Sequence, residues 1–250
     1  MSSSSTLVQS DSALRSMVRH TSCLNFQSCP LQKLLRGGAN YLFLANDVNQ
    51  RTDQFAGELR ISTTAISSWN SYLRNLNKKF TAGGIKACLL IAPAKEEIFP
   101  DFYPHPRGLI LLIDEFMDKF RGGITILFPL EEIAKECVLT YSRIDSHWTD
   151  YGAKIAANSV LRNLGLEEYS SFLPSEFRVR SSCGDLGIKI VPPVFGPVLS
   201  LAKQSLNSKE TLNNHVNNNG RIRLMEDPNA ALHKTLVIFG DSFLLTLHEC

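Results

Sequence analysis

The sequence predicts an α/β protein in which a mostly parallel sheet is covered by helices on both faces, a three-layer arrangement. Two observations carry this prediction. Amphipathic segments alternate with short, uninterrupted apolar runs, and these runs follow glycine pairs that end the preceding helices. Apolar residues at helical spacing predict amphipathic helices, whereas continuous apolar runs are typical of strands buried on both faces of a parallel sheet.

The first predicted strand lies close to Asn40, where the folded region begins. It is a β-prone run from Tyr41 to Leu44 that is closed by Asn46-Asp47. Apolar residues then recur at helical spacing from Leu59 to Phe80, which predicts one long helix that ends at Gly83-Gly84. The next predicted elements are strands over 85–91 and 124–128, helices over 109–120 and 130–137, and a helix over 149–164 with Thr149 as N-cap and Gly165 as C-cap.

Both ends of the chain depart from this pattern. Residues 1–38 show no period, so we predict a mobile N-terminal lead-in ahead of one domain over 39–250. Apolar and polar residues alternate at 177–180 and 188–191, in a region interrupted by prolines, which predicts antiparallel edge strands or a flap. The last predicted strands are 221–225 and 235–239, and the second of these is apolar throughout.

Composition excludes several classes of protein. The 26 Lys and Arg residues against 24 Asp and Glu residues give a net charge of +2, too balanced for a dedicated nucleic-acid binder. With 44% hydrophobic residues the chain is a folded globular protein. Its apolar runs are far shorter than the roughly 18 residues that a membrane span needs. The N-terminus shows no secretory signal, because no charged stretch precedes an apolar core.

Cysteine spacing gives no indication of a metal or redox site. The six cysteines never approach a CxxC pattern, and none is paired in sequence with a nearby histidine. We therefore expect no metal bound through thiolates, and our overall prediction is that the chain holds no metal and no cofactor.

Gly240-Asp241-Ser242 is the first segment that can carry chemistry. It follows the predicted strand 235–239, and ligands of open parallel sheets bind at the carboxyl ends of strands. A helix that begins here would point backbone N–H groups at a developing oxyanion, so Ser242 is a candidate nucleophile. The segment also fits a plain strand-to-helix turn with a capping serine. It is not the GxSxG elbow of α/β-hydrolases, because Leu244 stands at the second glycine.

Asp145 and His147 form the second candidate segment, in the polar loop ahead of the helix at Thr149. Residues two apart in an extended stretch project from the same side, so this carboxylate can orient the imidazole as a base. Three other interpretations stay open: a helix-capping Asp, a loop His packed on Trp148, and a metal-binding pair. Together with Ser242 the segment supplies an acid, a base and a nucleophile.

The two segments, in this order, resemble the SGNH-hydrolase-like domain of bacterial alginate O-acetyltransferases and related exopolysaccharide acetylation proteins. The resemblance rests on residues 145–152 (Asp-Ser-His-Trp-Thr-Asp-Tyr-Gly) and on 237–243, which end in Gly-Asp-Ser-Phe. Ordinary SGNH esterases carry these motifs in the opposite order. Supporting segments are 41–47, 90–96 and 184–187, and the resemblance covers about 40–242.

The resemblance implies a three-layer, flavodoxin-like SGNH fold and an O-acetyltransferase, or an acetylesterase, acting on an exported, alginate-like polysaccharide. Ser242 would carry the acetyl group, His147 would act as base and then acid, and Asp145 would orient the imidazole. The Ser242 backbone N–H, and less securely that of Gly184, would bind the oxyanion. The implied partners are a glycan acceptor and an acetyl donor, which a membrane carrier protein would supply, and the implied location is the periplasm.

Two alternatives remain open at this stage. The family continues past its serine, which predicts that this chain is truncated at its C-terminus and is either an inactive remnant or a glycan-binding pseudoenzyme. Trp148 and Tyr151 are the aromatic candidates for substrate contact in either case. A cytoplasmic esterase for small acyl esters would suit the missing signal.

Overall fold

The computed structural model of the chain describes residues 6–7, 34–45, 49–166, 176–202, 208–216, 221–229 and 235–243. Elements are labelled in chain order along these residues. The strands are β1 (Thr6–Leu7), β2 (Leu34–Arg36), β3 (Leu42–Leu44), β4 (Cys88–Leu90), β5 (Thr125–Leu127), β6 (Phe177–Ser182), β7 (Gly196–Leu201), β8 (Lys209–Asn213) and β9 (Arg223–Glu226). The helices are α1 (Arg51–Phe55), α2 (Thr63–Ala82), α3 (Lys95–Ile98), α4 (Leu112–Lys119), α5 (Leu130–Lys135), α6 (Cys137–Thr140), α7 (Asp150–Asn163) and α8 (Gly184–Gly187).

The predicted alternation of helix and strand is confirmed between residues 63 and 163. Strands β4 and β5 pair in parallel, from Cys88 opposite Thr125 to Leu90 opposite Leu127, and helices α3 and α4 lie in the crossover between them. The other strand pairs among the described residues are antiparallel. The three-layer, mostly parallel sheet therefore stays a prediction, while the α/β unit at its centre is observed.

The long predicted helix begins later than its apolar spacing indicates. Residues 51–55 form the separate helix α1, and α2 starts after Ser62, whose side-chain oxygen accepts from the Ala65 N–H at 3.1 Å. Gly57 separates the two helices at a φ of +70°. A side chain is strained in that left-handed conformation, and a Cβ here would also lie 2.7 Å from the Ile110 carbonyl oxygen. The predicted end of α2 at Gly83 is confirmed.

The predicted boundary at residue 38 falls inside an antiparallel hairpin. Strand β2 pairs with β3, from Leu34 opposite Leu44 to Arg36 opposite Leu42, and Leu34 is 5% exposed. Strand β1 in turn pairs with β6. The predicted lead-in therefore contains paired strands, which were missed because runs of two or three residues are too short to show a period.

The strand at 188–191, one of the two alternatives predicted for that segment, and the strand predicted at 235–239 are wrong in this structure. Helix α8 and a turn occupy the region up to Ile190, where the Leu186 and Gly187 N–H groups donate to the Ile144 carbonyl instead of to a neighbouring strand. Residues 235–240 form neither helix nor strand, and Phe239 is 92% exposed. An apolar run predicts a strand only if a partner offers it a ladder of hydrogen bonds, and the run itself does not identify that partner.

The remaining predictions for the C-terminal half are confirmed in outline. Strand β6 pairs antiparallel with β7, from Phe177 opposite Leu201 to Ser182 opposite Gly196. The strand predicted at 221–225 is β9, which pairs with β8. Asn46-Asp47, the predicted close of the first strand, lies outside the described residues.

The largest core cluster lies beneath the loop that carries Asp145 and His147. Its buried residues include Tyr41, Phe43, Phe99, Tyr141 and Trp148. Tyr141 and Trp148 also form an antiparallel bridge that closes the loop at its base, and the Thr149 N–H donates to the Thr140 carbonyl at 2.8 Å. The core thus fixes both ends of the loop. Within the described residues, no helix has the length and apolarity that spanning a bilayer requires.

We expect Thr149→Ala to lower the free energy of unfolding by about 1–2 kcal/mol. The Thr149 hydroxyl donates to the Leu139 carbonyl and accepts from the Gly152 N–H, so its loss removes the α7 cap and leaves a buried carbonyl without its donor. Denaturant unfolding of Thr149→Ala, Thr149→Ser and the exposed-cap variant Ser62→Ala measures this. A loss at Thr149 no larger than that at Ser62, or no recovery with serine, would contradict the assignment.

Candidate active site

The loop at 142–147 brings Asp145 and His147 into direct contact. One carboxylate oxygen, Asp145 Oδ1, accepts from the His147 backbone N–H at 2.9 Å and lies 3.0 Å from the His147 Nδ1 atom. The first bond bends the backbone, and this bend is what allows two residues so close in sequence to join their side chains. The carboxylate thereby fixes both the position of the ring and, with the proton on Nδ1, its tautomer.

Ser242 completes the array from the far side of the imidazole ring. Its Oγ atom lies 2.8 Å from His147 Nε2, and its side chain is exposed. With the proton of the ring on Nδ1, Nε2 is the acceptor for the serine hydroxyl. The structure therefore brings together the three residues that the sequence predicted as acid, base and nucleophile.

Phe243 fixes the serine segment to the loop. Its carbonyl accepts from the Trp148 Nε1–H at 3.2 Å, and its ring lies 4.9 Å from that of His147 and 5.2 Å from that of Trp148. Its N–H donates to Asp241 Oδ1 at 3.0 Å, a local turn that shapes the approach to Ser242. The aromatic contact thus positions the hydroxyl although residues 235–240 are not part of a sheet.

Electrostatics at the array favour an ion pair between imidazolium and carboxylate. The hydrogen bond to Asp145 raises the pKa of His147 above its ordinary value, and burial opposes this shift only in part. Burial alone would raise the pKa of Asp145, but the hydrogen bonds from the His147 side chain and backbone more than compensate and hold it below its ordinary value. The ring can therefore take up a proton beside a carboxylate that stays charged.

Gly184, the predicted second oxyanion donor, lies at the other end of the array. Its N–H donates to Ser182 Oγ at 3.2 Å, and a Cβ there would lie 2.9 Å from Asp145 Oδ2. Asp145 and Ser242 contact opposite nitrogens of the ring, so this amide is aimed away from the serine. The geometry makes Gly184 a neighbour of the carboxylate and does not make it an oxyanion donor.

The predicted aromatic contacts also lie elsewhere. Trp148 is 3% exposed and belongs to the core, so its ring is not available to stack on a sugar. The Tyr151 ring packs edge-on against Phe177 at 5.3 Å, in a second cluster with Leu139. Trp148 supports Phe243, with a hydrogen bond from its Nε1–H to the Phe243 carbonyl and an edge-on ring contact.

Lys95 is a site neighbour to which sequence reasoning assigned no role. The side chain is buried, and Nζ donates to the carbonyls of Leu42 and Asp145 at 2.8 Å each. Nζ also lies within 5.5 Å of the ring centres of Tyr41 and Phe43. Burial lowers the pKa of Lys95 to about 7. The sequence signal was a lysine that directly follows Ala-Pro-Ala at the end of a predicted strand.

Among the described residues, the carboxylates of Asp145 and Asp185 together with His147 have the composition of a cation site. One ligand atom each from Asp145, His147 and Asp185 lie within 4.8 Å of one another. These atoms are already bonded, since Asp145 accepts from His147 and Asp185 accepts from the Ser146 N–H and hydroxyl. We interpret the cluster as a hydrogen-bonded array.

The α/β unit and the two segments that meet in this array are those of an SGNH hydrolase-like protein. The family described as the SGNH hydrolase-like domain of acetyltransferase AlgX matches residues 34–243, and the chain belongs to this family. The resemblance stated from the two motifs is thereby confirmed. No curated protein sequence matches the chain.

Solved structures to which the chain is similar include two bacterial proteins. The O-acetyltransferase domain of Pseudomonas putida AlgJ is 17% identical over 67% of this chain and 63% of its own, with a TM-score of 0.44. Bacillus cereus PatB1 is 12% identical over 60% of this chain and 48% of its own, with a TM-score of 0.41. PatB1 with a sulfonyl adduct is 11% identical over 68% and 56%, with a TM-score of 0.46. The chain thus spans less than two thirds of each.

We expect the imidazole of His147 to titrate above the ordinary histidine value of about 6.5, and Asp145→Asn to lower its pKa. Because the pKa of the folded state exceeds that of the unfolded state, the pair stabilises the fold below pH ~6.5 and this contribution is lost as the pH rises through the raised pKa. NMR titration of His147 in the parent, in Asp145→Asn and in the exposed control Asp118→Asn measures the raised pKa and its decrease when the carboxylate is lost. A parent value at or below 6.5 would contradict this account.

Proposed function

We propose that the chain is an O-acetyltransferase that transfers an acetyl group to a hydroxyl of an exported, alginate-like polysaccharide. The proposal rests above all on the continuous contact from Asp145 through His147 to Ser242, in a member of the AlgX family. Acetylester hydrolysis is the same chemistry with water in place of the sugar hydroxyl. The residues of the chain are sufficient for these steps, so we propose neither a metal nor a cofactor.

The first step of the proposed reaction forms an acetyl-serine. His147 Nε2 takes the proton of the Ser242 hydroxyl as Oγ attacks the acetyl carbonyl carbon. The negative charge moves to the carbonyl oxygen, and the Ser242 backbone N–H is the proposed donor to it. When the tetrahedral intermediate collapses, the bond to the donor's leaving group breaks and His147 returns the proton to that group. Asp145 stays ionised and stabilises the imidazolium throughout.

The second step transfers the acetyl group to the acceptor. A sugar hydroxyl gives its proton to His147 Nε2 and attacks the acetyl carbonyl, and the collapse of this intermediate releases the acetylated sugar and Ser242 Oγ, which recovers the proton. The exposed position of Ser242 supports an acceptor as large as a polymer. Hydrolysis competes in this step, since water reaches the same atom.

Family membership supports the proposed setting. We place the activity in the periplasm, with a polysaccharide acceptor and an acetyl donor supplied by a membrane carrier protein. A pseudoenzyme that binds the glycan without turnover is the alternative outcome of the experiment below.

We expect a serine-reactive organophosphonate to form one covalent adduct with the parent chain and none with Ser242→Ala, because His147 activates only that hydroxyl. Intact-mass analysis measures the adduct. Ser68→Ala, an exposed serine on α2, is the matched control and should react like the parent. His147→Ala should slow adduct formation by about 10³-fold or more.

The outcomes separate the two interpretations. An adduct that persists in Ser242→Ala, or no adduct in a folded parent, would overturn the proposed nucleophile. Glycan binding retained in such an unreactive parent would then favour the pseudoenzyme.

A further inference from the structure

We propose that Asp185 is a positioning residue for the Asp145 and His147 pair. Asp185 lies in the short helix α8, and contacts from this helix hold the two side chains in their relative positions. The proposal rests on the proposed function, for which it names the part of the fold that aligns the base. Asp185 touches neither Ser242 nor the proposed reacting atoms, so it acts through the loop that carries Asp145 and His147.

The carboxylate of Asp185 accepts two hydrogen bonds from Ser146, the residue between Asp145 and His147. Oδ1 accepts from the Ser146 backbone N–H at 2.7 Å, and Oδ2 accepts from the Ser146 hydroxyl at 2.6 Å. Ser146 is 5% exposed, so both donors would be left unsatisfied away from water without this partner. Two bonds to one residue fix its orientation as well as its position. Because Asp145 and His147 flank Ser146 on either side, their side chains are fixed with it.

Backbone N–H groups of α8 also bind the two residues that precede Ser146, Ile144 and Asp145. The Asp185 N–H points to Asp145 Oδ2 at 3.4 Å, and the Leu186 and Gly187 N–H groups donate to the Ile144 carbonyl at 3.1 and 3.0 Å. Three consecutive loop residues, 144 to 146, are therefore held by three consecutive residues of α8. The Asp185 N–H at Asp145 Oδ2 leaves Oδ1 to His147, so each carboxylate oxygen has its own partner.

Gly184 is required for this close approach. Its φ is +55°, and a Cβ on it would lie 2.4 Å from the Ile144 carbonyl oxygen and 2.9 Å from Asp145 Oδ2. Both the conformation and the space exclude a side chain. Gly184 therefore allows α8 to lie close to the loop, and Asp185 binds the loop through Ser146.

Asp185 also contributes charge to the array. Burial, followed by the charge of Asp145, raises the pKa of Asp185 above its ordinary value. Its charge, after the larger effect of Asp145, helps to raise the pKa of His147. Among the described residues, the other charged groups that face the cluster are Lys95 behind Asp145, Lys189 with Nζ 4.0 Å from Asp185 Oδ2, and Asp241 beside Ser242.

Three substitutions separate the effect of the Asp185–Ser146 hydrogen bonds from the effect of the negative charge of Asp185. Asp185→Asn keeps a side-chain oxygen for the Ser146 N–H and removes the charge, Asp185→Ala removes both, and Ser146→Ala removes only the hydroxyl contact. Asp118→Asn, in an exposed pair with Arg121, is the matched control. The readouts are kcat and KM for an activated acetyl ester across pH, the pKa of His147 by NMR, and folding by circular dichroism.

We expect Asp185→Ala to lower kcat on the order of 10²-fold with KM little changed, because a small misplacement of the base is costly. Asp185→Asn should lose less activity, and the acid limb of its pH profile should move to lower pH because the neutral imidazole is reached earlier. Ser146→Ala should fall between the control and Asp185→Ala.

Two results would overturn the proposal: rates in Asp185→Asn and Asp185→Ala equal to those of Asp118→Asn, or a His147 pKa in Asp185→Ala no lower than in Asp185→Asn, because only the alanine variant also loses the contacts that place the acid beside the base. The NMR readout needs no turnover. If the parent is inactive, the proposed function has failed, whereas the difference in the pKa of His147 between Asp185→Ala and Asp185→Asn still decides the role of Asp185. If Asp185→Ala does not fold, Asp185→Asn and Ser146→Ala decide it.

Discussion

One carboxylate oxygen, Asp145 Oδ1, has to accept two N–H groups from the same residue, and the geometry of the site depends on this. The backbone bond to His147 bends the loop, and the bend brings the imidazole onto the same oxygen. Without the first bond the two side chains, only two residues apart, would project in parallel and would not meet. Both ends of the loop are fixed by the core beneath it, through the Tyr141 to Trp148 bridge and the Thr149 cap, so the bend is held from outside as well.

A partly buried carboxylate needs compensation, and the surrounding residues provide it. Lys95 lies behind the loop and donates to the carbonyls of Leu42 and Asp145, which ties strand β3 to the site. Asp185 holds Ser146 from the other side. Leaving one such group unpaired is more costly than the net gain of making the pair. This cost explains why charges of both signs lie beside a core of aromatic rings.

The sequence predicted the parts of this molecule in which short-range pattern decides structure. The end of α2 at Gly83 and the N-cap of α7 at Thr149 depend on local chemistry, and both are observed. The three candidate site residues could be singled out because Asp145 and His147 lie two residues apart in one motif and Ser242 lies in another. Residues 188–191 and 235–239 were predicted as strands because apolar residues there alternate or run together, yet strand formation depends on a distant partner.

The roles of Lys95 and Asp185 beside the site could not be predicted from the sequence, because they also depend on distant partners. Lys95 is 50 residues from Asp145, and Asp185 is 39 residues from Ser146, so no local spacing joins them to the site. Gly184 was given the role of oxyanion donor, although its amide faces Ser182. A sequence motif identifies which residues carry chemistry, and the fold decides which of them point at the reacting atom.

The central claim is that Ser242 carries the acetyl group between donor and acceptor. Peptide mapping by mass spectrometry, after the chain is mixed with an activated acetyl ester at a pH above the pKa of His147 and quenched with acid, locates that group directly. We expect acetylation of Ser242 that disappears when an alginate oligosaccharide is added, with acetyl groups appearing on the sugar. Acetylation confined to other residues, or an acetyl-Ser242 that persists with oligosaccharide and water present, would contradict it.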